Sequence, residues 1–502
     1  MHTERFELAS VGKAGWLEEG GLRLSARRTV AVAPGGTSRV ALALAMLALG
    51  ACATYTPAPI EPAKTAEAFA ARRLDAPELR EPVARVLPEA AESWPPSEWD
   101  RAGLLAVALA DNGSLAVARA EVEAALAAKI TAGETPNPTL GLQAEYAKHE
   151  PDHWLYGLSF DFLLPHRAVR TIDLDVAELG GAGARADLME KTWNVRRALV
   201  AALSDRESAR RRLDATTRLA DAEDRLIALQ QRRVDAGEDT PNDLNASQAA
   251  RLDFEQQVAN ARADVVAADA AVAAALGMPA AAFDGVAIAW TDWGAPPAIA
   301  KDAFASAREA ALLSRADLAS AIDAYAVAEK KLERAIARQY PQFELKPGYY
   351  WDHGVAKWPF EVDFALPVFN RNEGEIAEAK AAREVAGQKL LALQAEIYGE
   401  VDAALRADAV AAESLDTARK RGDSLRSQLA HAETALKLGA GDSIDRMNAE
   451  VLVLRADLEA LQAAAQRQAA RNALEDALHA PLSGPELALA KAWTVADSGA
   501  GR

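Results

Sequence analysis

The sequence predicts a mainly α-helical fold with a small share of membrane β-structure, built as a tandem repeat. Three observations predict it. Landmarks recur at an offset of 202 or 203 residues, and four short stretches alternate apolar with polar side chains. Two further segments of about sixty residues contain almost nothing that stops a helix.

Bulk properties narrow the classes. Half of the 502 residues are apolar, yet the mean hydropathy is −0.10, which excludes a polytopic bundle of membrane helices. A formal charge of −17 argues against wrapping nucleic-acid phosphates, which needs a basic face. A single cysteine excludes an intrachain disulfide framework.

That cysteine closes the first element. Arg39 precedes an apolar run from Val40 to Leu49, followed by Gly50-Ala51-Cys52. A basic n-region, a short h-region and small residues at the end describe a signal peptide over residues 1–51, and the run is too short to span a bilayer permanently. Leu49-Gly50-Ala51-Cys52 resembles a bacterial lipobox, which implies a lipid on Cys52. An ordinary signal peptide or a short buried helix shares this composition, but the only cysteine coincides with the end of the run. Met1 to Ser38 make a poor n-region and suggest a start nearer Arg28. Residues 52–97, rich in Pro and Ala, read as an extended strap.

The repeat comes next. Gly113 of "GSLAVARAEVEAA" answers Ala316 of "ADLASAIDAYAVA", and Pro138 answers Pro341. Pro165 answers Pro367, and Gly237 answers Gly439. Nearly one offset at four landmarks indicates a duplication, with repeats at 98–280 and 301–481, a linker at 281–300 and a tail at 482–502.

Each repeat reads helix, strand, strand, long helix, helix. Leu140, Leu142, Ala144 and Tyr146 alternate with polar or small residues, as do Tyr156, Leu158, Phe160 and Phe162. Phe343, Leu345 and Tyr349 begin the second pair, and Phe360, Val362, Phe364 and Leu366 complete it. A soluble sheet with one buried face shows the same rhythm. Four strands are too few for a sandwich core in a chain this long, whereas a lipid-exposed sheet must close on itself with at least eight. Four strands per protomer therefore imply a shared barrel, and a trimer supplies twelve. Trp154, Trp351 and Trp358 stand at strand ends, where aromatic girdles sit.

The long helices run from about Leu174 to Asp235 and from about Glu375 to Lys437. Helices of roughly 90 Å cannot bury themselves in a compact domain and pack as an extended coiled array. Gly180-Gly181-Ala182-Gly183 follows no strand, so helix packing or a local kink explains it better than a nucleotide loop. Each long helix ends at a glycine turn, Gly237 to Thr240 and Gly439 to Ser443. Thr240 and Ser443 read as the next N-caps and Pro241 as a first helical residue.

No catalytic or phosphate-binding constellation emerges, so the sequence points away from an enzyme, a cofactor or a resident metal. "HEPDH", His149 to His153, reads as a solvated loop between strands.

The strand entry "NPTL", the strand exit "LPVFNRNEG" and the two glycine turns resemble the outer-membrane factor family, the TolC type of trimeric ducts, from Glu98 to Pro481. "PVFNRNEGEIAEA" resembles the members that serve heavy-metal pumps. His166 to Arg170 depart from this pattern in the first copy. The resemblance implies a TolC-like fold: a homotrimer with a twelve-stranded barrel in the bacterial outer membrane and a helical tunnel in the periplasm. It implies passive conduction of substrate, metal cations or small toxic compounds, from an inner-membrane transporter of the RND type through a periplasmic adaptor. A duct for secreted polypeptide and a non-conducting periplasmic scaffold are the alternatives. By matching position, Asp445, Asn448 and Asp243 would line the constricted mouth. Acids after a helix start also simply complement the helix dipole. Gly237, Thr240, Gly439 and Ser443 would contact the adaptor. Pro165, Pro367, Asn370 and Gly374 would make the bends where strands become tunnel helices.

Overall fold

The repeat reappears as a repeated order of elements in the computed structural model, which describes residues 55–238, 240–299 and 301–487. Cys52, the apolar run before it and tail residues 488–502 lie outside the described residues, as does the side chain of Asp243. Two compact units divide the chain, residues 1–62 and 63–502. The elements below belong to the second, apart from the first residue of α1.

The strap is not fully extended. It folds into α1 (Pro62–Ala70), two short 3-10 turns and α2 (Arg80–Val86), which bury Leu74, Val83 and Ala91. These apolar residues were masked by the surrounding prolines, which favour helix starts as well as extended chain. Two further helices open the repeats: α3 (Arg101–Asp111) and α7 (Lys301–Ser314). Then come α4 (Gly113–Gly133), β1 (Thr139–Tyr146), β2 (Trp154–Leu164), α5 (Arg167–Asp235) and α6 (Pro241–Leu276). The second copy runs α8 (Ala316–Ala337), β3 (Phe343–Asp352), β4 (Val355–Lys357), β5 (Phe360–Phe364), α9 (Glu373–Lys437) and α10 (Ser443–Leu478).

α5 has 69 residues and α9 has 65, so at 1.5 Å per residue each extends roughly 100 Å. Both are rich in strong helix formers, and α9 carries Glu373 and Glu375 in its first turn and Lys437 in its last, matching the macrodipole. The glycine cluster does not interrupt α5; a Cβ on Gly181 would meet Leu126 of α4 at 3.3 Å, so the small residues admit a neighbouring helix. No described helix is long and apolar enough to cross a membrane.

The main core gathers around α3, buried from Arg101 to Leu109, with Leu199 and Leu203 of α5 and Val272 and Leu276 of α6. Full burial of each such leucine contributes about 1.5–3 kcal/mol. The linker belongs to this core. Trp99 and Ile288 form a parallel bridge, and Phe283, Trp290 and Trp293 are buried.

The strands form one antiparallel sheet in the order β1-β2-β3-β4, with β5 also paired to β3. The fourth predicted strand forms as β5 from Phe360 but ends at Phe364. The short β4 before it was not predicted, and Trp358-Pro359 separates the two, because proline cannot donate to the ladder. The pairing of β2 with β3, Leu158 opposite Tyr349 and Leu164 opposite Phe343, joins the two repeats.

Candidate functional site

Three regions of the chain offer chemistry: the sheet, the bends where strands become helices, and the tips of the helical hairpins.

On the sheet, residues directly opposite each other share a face. Leu142 opposes Leu158, Ala144 opposes Tyr156, Phe162 opposes Leu345 and Val362 opposes Leu345 from the other side. This continuous apolar face is exposed: Leu142 is 78% exposed, Tyr156 51% and Phe360 67%. Along β2 the alternation runs opposite to a soluble sheet, with Tyr156, Leu158, Phe160 and Phe162 outward and Gly157, Ser159 and Asp161 partly covered. The other face carries Glu344, Lys346 and Asp363, with the Lys346 ammonium 3.5 Å from Glu344 and paired to Asp363. Both outer edges, β1 and the β4–β5 side, have no further strand among the described residues.

The bends are built differently in the two copies. Pro165 and His166 end β2, and His166, in extended conformation, stands at the N-cap of α5 with its ring stacked on Tyr340 at 6.2 Å. In the second copy Pro367 follows β5, and Asn370 accepts a hydrogen bond from the Asn372 amide at 2.8 Å. The residue that turns the chain is Asn372, at φ 61°, whose side chain donates to the Ala335 carbonyl at 2.8 Å. Gly374, expected to free the backbone before the helix, is instead inside the first turn of α9. Asparagine tolerates the left-handed region because its short amide bonds locally, so glycine was not needed. A cleft of about 970 Å³ opens here, lined among others by His166, Arg338, Tyr340, Pro367 and Asn372.

At the tips, Gly237 has φ 74° and Gly439 φ 72°, a conformation glycine adopts without steric cost. Thr240 is the N-cap of α6, though its side chain makes no capping bond, and Pro241 follows at the first helical position. In the second tip the N-cap is Asp442, not Ser443; its carboxylate accepts from the Ile444 amide at 3.0 Å. Aspartate caps as well as serine and its charge also complements the positive helix end, so the helix starts one residue earlier than read. Asp442 also takes the guanidinium of Arg233, from the last turn of α5, so one ion pair ties the two tips together. The bond from Ile444, with Arg233 beside it, holds the Asp442 carboxyl below the usual carboxylate range.

Asp445 and Asn448 stand exposed on the first turns of α10. Behind them Glu450 bridges Arg446 at 3.0 Å and Arg225 of α5 at 2.9 Å. Arg233 and Asp442 were not singled out from sequence. The signal available was a carboxylate immediately before a helix, in "GAGDSIDRM".

Farther from the tips, buried charges join the repeats. Arg196 of α5 donates to Glu475 of α10 at 2.6 Å and to Glu486 of the tail at 2.9 Å. Burial alone would lower the Arg196 pKa, but the carboxylates of Glu486 and Glu475 hold it above its ordinary value. The "HEPDH" stretch lies in the β1–β2 connection, with the His153 ring against Tyr146 at 5.5 Å and both histidines exposed.

A family model described as outer membrane efflux protein matches residues 104–278 and 307–479. Among solved structures the chain is similar to CusC, crystallised in a study of folding and transmembrane channel formation, at TM-score 0.62 and 16% identity over 76% of this chain and 92% of that one. It is similar to the outer membrane protein VceC of Vibrio cholerae at TM-score 0.62 and 17% identity, over 76% and 97%. It is also similar to the open state of the MtrE outer membrane channel of Neisseria gonorrhoeae at TM-score 0.59 and 18% identity, over 76% and 89%. At these identities the likeness is one of fold. No curated protein matches the chain.

Proposed function

The chain belongs to the outer membrane efflux protein family, and from that membership we propose that three copies close one barrel and form a passive outer-membrane duct. One observation carries this reading: the apolar face of the sheet is turned outward while both edges lack a partner strand among the described residues. Lipid demands the first arrangement, and tolerates the second only if neighbouring copies supply the missing strands.

The duct has no chemistry or energy source of its own. It receives cargo, metal cations or small toxic compounds, from an inner-membrane transporter of the RND type through a periplasmic adaptor. The adaptor meets the tips at Gly237, Thr240, Gly439 and Ser443. Asp445 and Asp243 from three copies form two carboxylate rings at the mouth that attract cations and repel anions, with Asn448 lining the mouth beside them. A lipid on Cys52 anchors the chain to the outer membrane. The likeness of "PVFNRNEGEIAEA" to members that serve heavy-metal pumps is what supports metal cargo.

The test uses the purified full chain in detergent: its mass, heat-modifiable gel mobility and planar-bilayer conductance. A trimer with cation-selective conductance supports the duct. A protein that stays soluble without detergent and conducts nothing replaces it with the scaffold.

A further inference from the structure

The end of the second repeat holds a polar side chain that none of the contacts above employs. His479 caps α10 at φ 47°, in the left-handed region. The matching cap of α6, 202 residues earlier, is Gly277 at φ 77°. Glycine takes that conformation freely and histidine does not, so the imidazole is held there against the backbone preference of its own residue.

The imidazole is nine-tenths buried, with a side-chain exposure of 10%, and stacks on Trp193 at 5.1 Å. Among the described residues its ring makes no hydrogen bond. Its Nδ1 lies 3.6 Å from Oε2 of Glu190, too far for one. Glu190 Oε2 is itself buried without a hydrogen-bond partner, while Oε1 accepts from Asn194 at 3.0 Å. Asp317, in the first turn of α8, completes the group: one ligand atom from each of the three lies within 4.8 Å of the others.

We propose that Glu190, Asp317 and His479 bind a divalent first-row transition cation of the zinc class. An imidazole nitrogen and two carboxylate oxygens are the donors such an ion accepts, at about 2.0–2.2 Å each. Two donors 3.6 Å apart are spaced as neighbours on one tetrahedral ion, and an Asp317 oxygen lies within 4.8 Å of both. Calcium, which takes six to eight oxygens, is poorly served by this set.

The surroundings are compatible. Arg315 already binds Asp317, at 3.1 and 2.7 Å, so that carboxylate would be shared between a guanidinium and the ion. Arg197 is the other nearby cation acting on Glu190 and His479. The ion would join α5 of the first repeat to the start of α8 and the end of α10. The site does not depend on conduction, so its failure leaves the duct untouched.

The experiment is isothermal titration of Zn²⁺ into the full chain in detergent. A His149→Ala/His153→Ala background removes the exposed loop histidines. The expected result is one Zn²⁺ per chain, weakened at least tenfold by His479→Gly and by Glu190→Gln, with millimolar Ca²⁺ failing to compete. His479→Gly installs the residue that α6 already uses at this cap, so its metal-free melting temperature should match or exceed the parent. Absence of saturable Zn²⁺ binding, or binding unchanged in both variants, overturns the site.

Discussion

Asp408 of α9 lies 3.1 Å from Arg471 of α10, and 202 residues upstream of each stand Arg206 and Asp269, an ion pair with its charges exchanged. The first hairpin is clasped by Arg206 to Asp269 at 2.5 Å, the second by Asp408 to Arg471 and Arg467. If the two return helices traded partners, arginine would face arginine and aspartate would face aspartate. A duplicated chain has near-identical elements to confuse, and opposite-signed clasps oppose that exchange. Asp408→Ala strands two buried guanidinium groups and should destabilise by about 3–5 kcal/mol, read as early thermal unfolding. Arg206→Asp is expected to be comparably harmful, and adding Asp269→Arg should recover part of the loss. Recovery stays partial because Arg206 also donates to the Val286 carbonyl at 3.1 Å.

The hairpin tips carry a milder prediction. A Cβ on Gly439 meets nothing within 4 Å, so Gly439→Ala pays only for a positive φ. That cost is roughly 1–2 kcal/mol, and Gly237→Ala should match it in the same unfolding assay. A much larger effect at either site would mean that the turn is packed in the assembled protein.

What the sequence disclosed, and what it hid, follows from the range of each interaction. The strands and long helices were legible because Phe160 or Leu203 repeats with a period that one element imposes on itself. The glycine tips were legible because a positive φ needs its own residue type. Asn372 was missed for Gly374 since an amide can do locally what glycine does by having no side chain. Helices α3 and α7 were absorbed into their neighbours, because only Asn112 and Arg315 separate each from the next helix. Arg233 with Asp442, and Glu190 with Asp317 and His479, are juxtapositions between distant segments. No local period encodes them. Asp445 and Asn448 are exposed in one protomer, and the rings that the resemblance implies need neighbouring copies.

Acidity offers a third test. Burial raises the Asp476 carboxyl from its ordinary value to about 6. A folded pKa above the unfolded one adds stability at low pH, and that contribution is lost as pH rises from about 4 through 6. Above pH 6 the buried carboxylate is charged and costs on the order of 3 kcal/mol. Asp476→Asn should therefore melt higher than the parent at pH 7.5 and no differently at pH 3.5. A benefit that persists unchanged at pH 3.5 would show that charge is not the cause.

The mouth is tested by Asp445→Ala and Arg233→Ala together. Removing Asp445 should raise conductance, because the constriction widens, and reduce cation selectivity, because a ring of three carboxylates, one from each copy, is lost. Removing Arg233 frees Asp442 from its cross-repeat clasp and should raise open probability without reducing selectivity, since no mouth carboxylate is lost. The two variants thus separate a charge effect from a mechanical one in the same bilayer recording.

The sheet gives the sharpest test, because its period is two. Phe160 is exposed on the apolar face and Asp161, the next residue, points to the other. If the apolar face meets lipid, Phe160→Lys places a charge in hydrocarbon at a cost of about 2–4 kcal/mol near the midplane, whereas Asp161→Lys faces the barrel interior. Phe160→Lys should abolish heat-modifiable assembly in the outer membrane, and Asp161→Lys should assemble and shift selectivity away from cations. The inverse pattern would place the polar face against lipid, which no membrane sheet permits. Equal tolerance of both would mean that the sheet never enters a bilayer, and the shared barrel would fall with it.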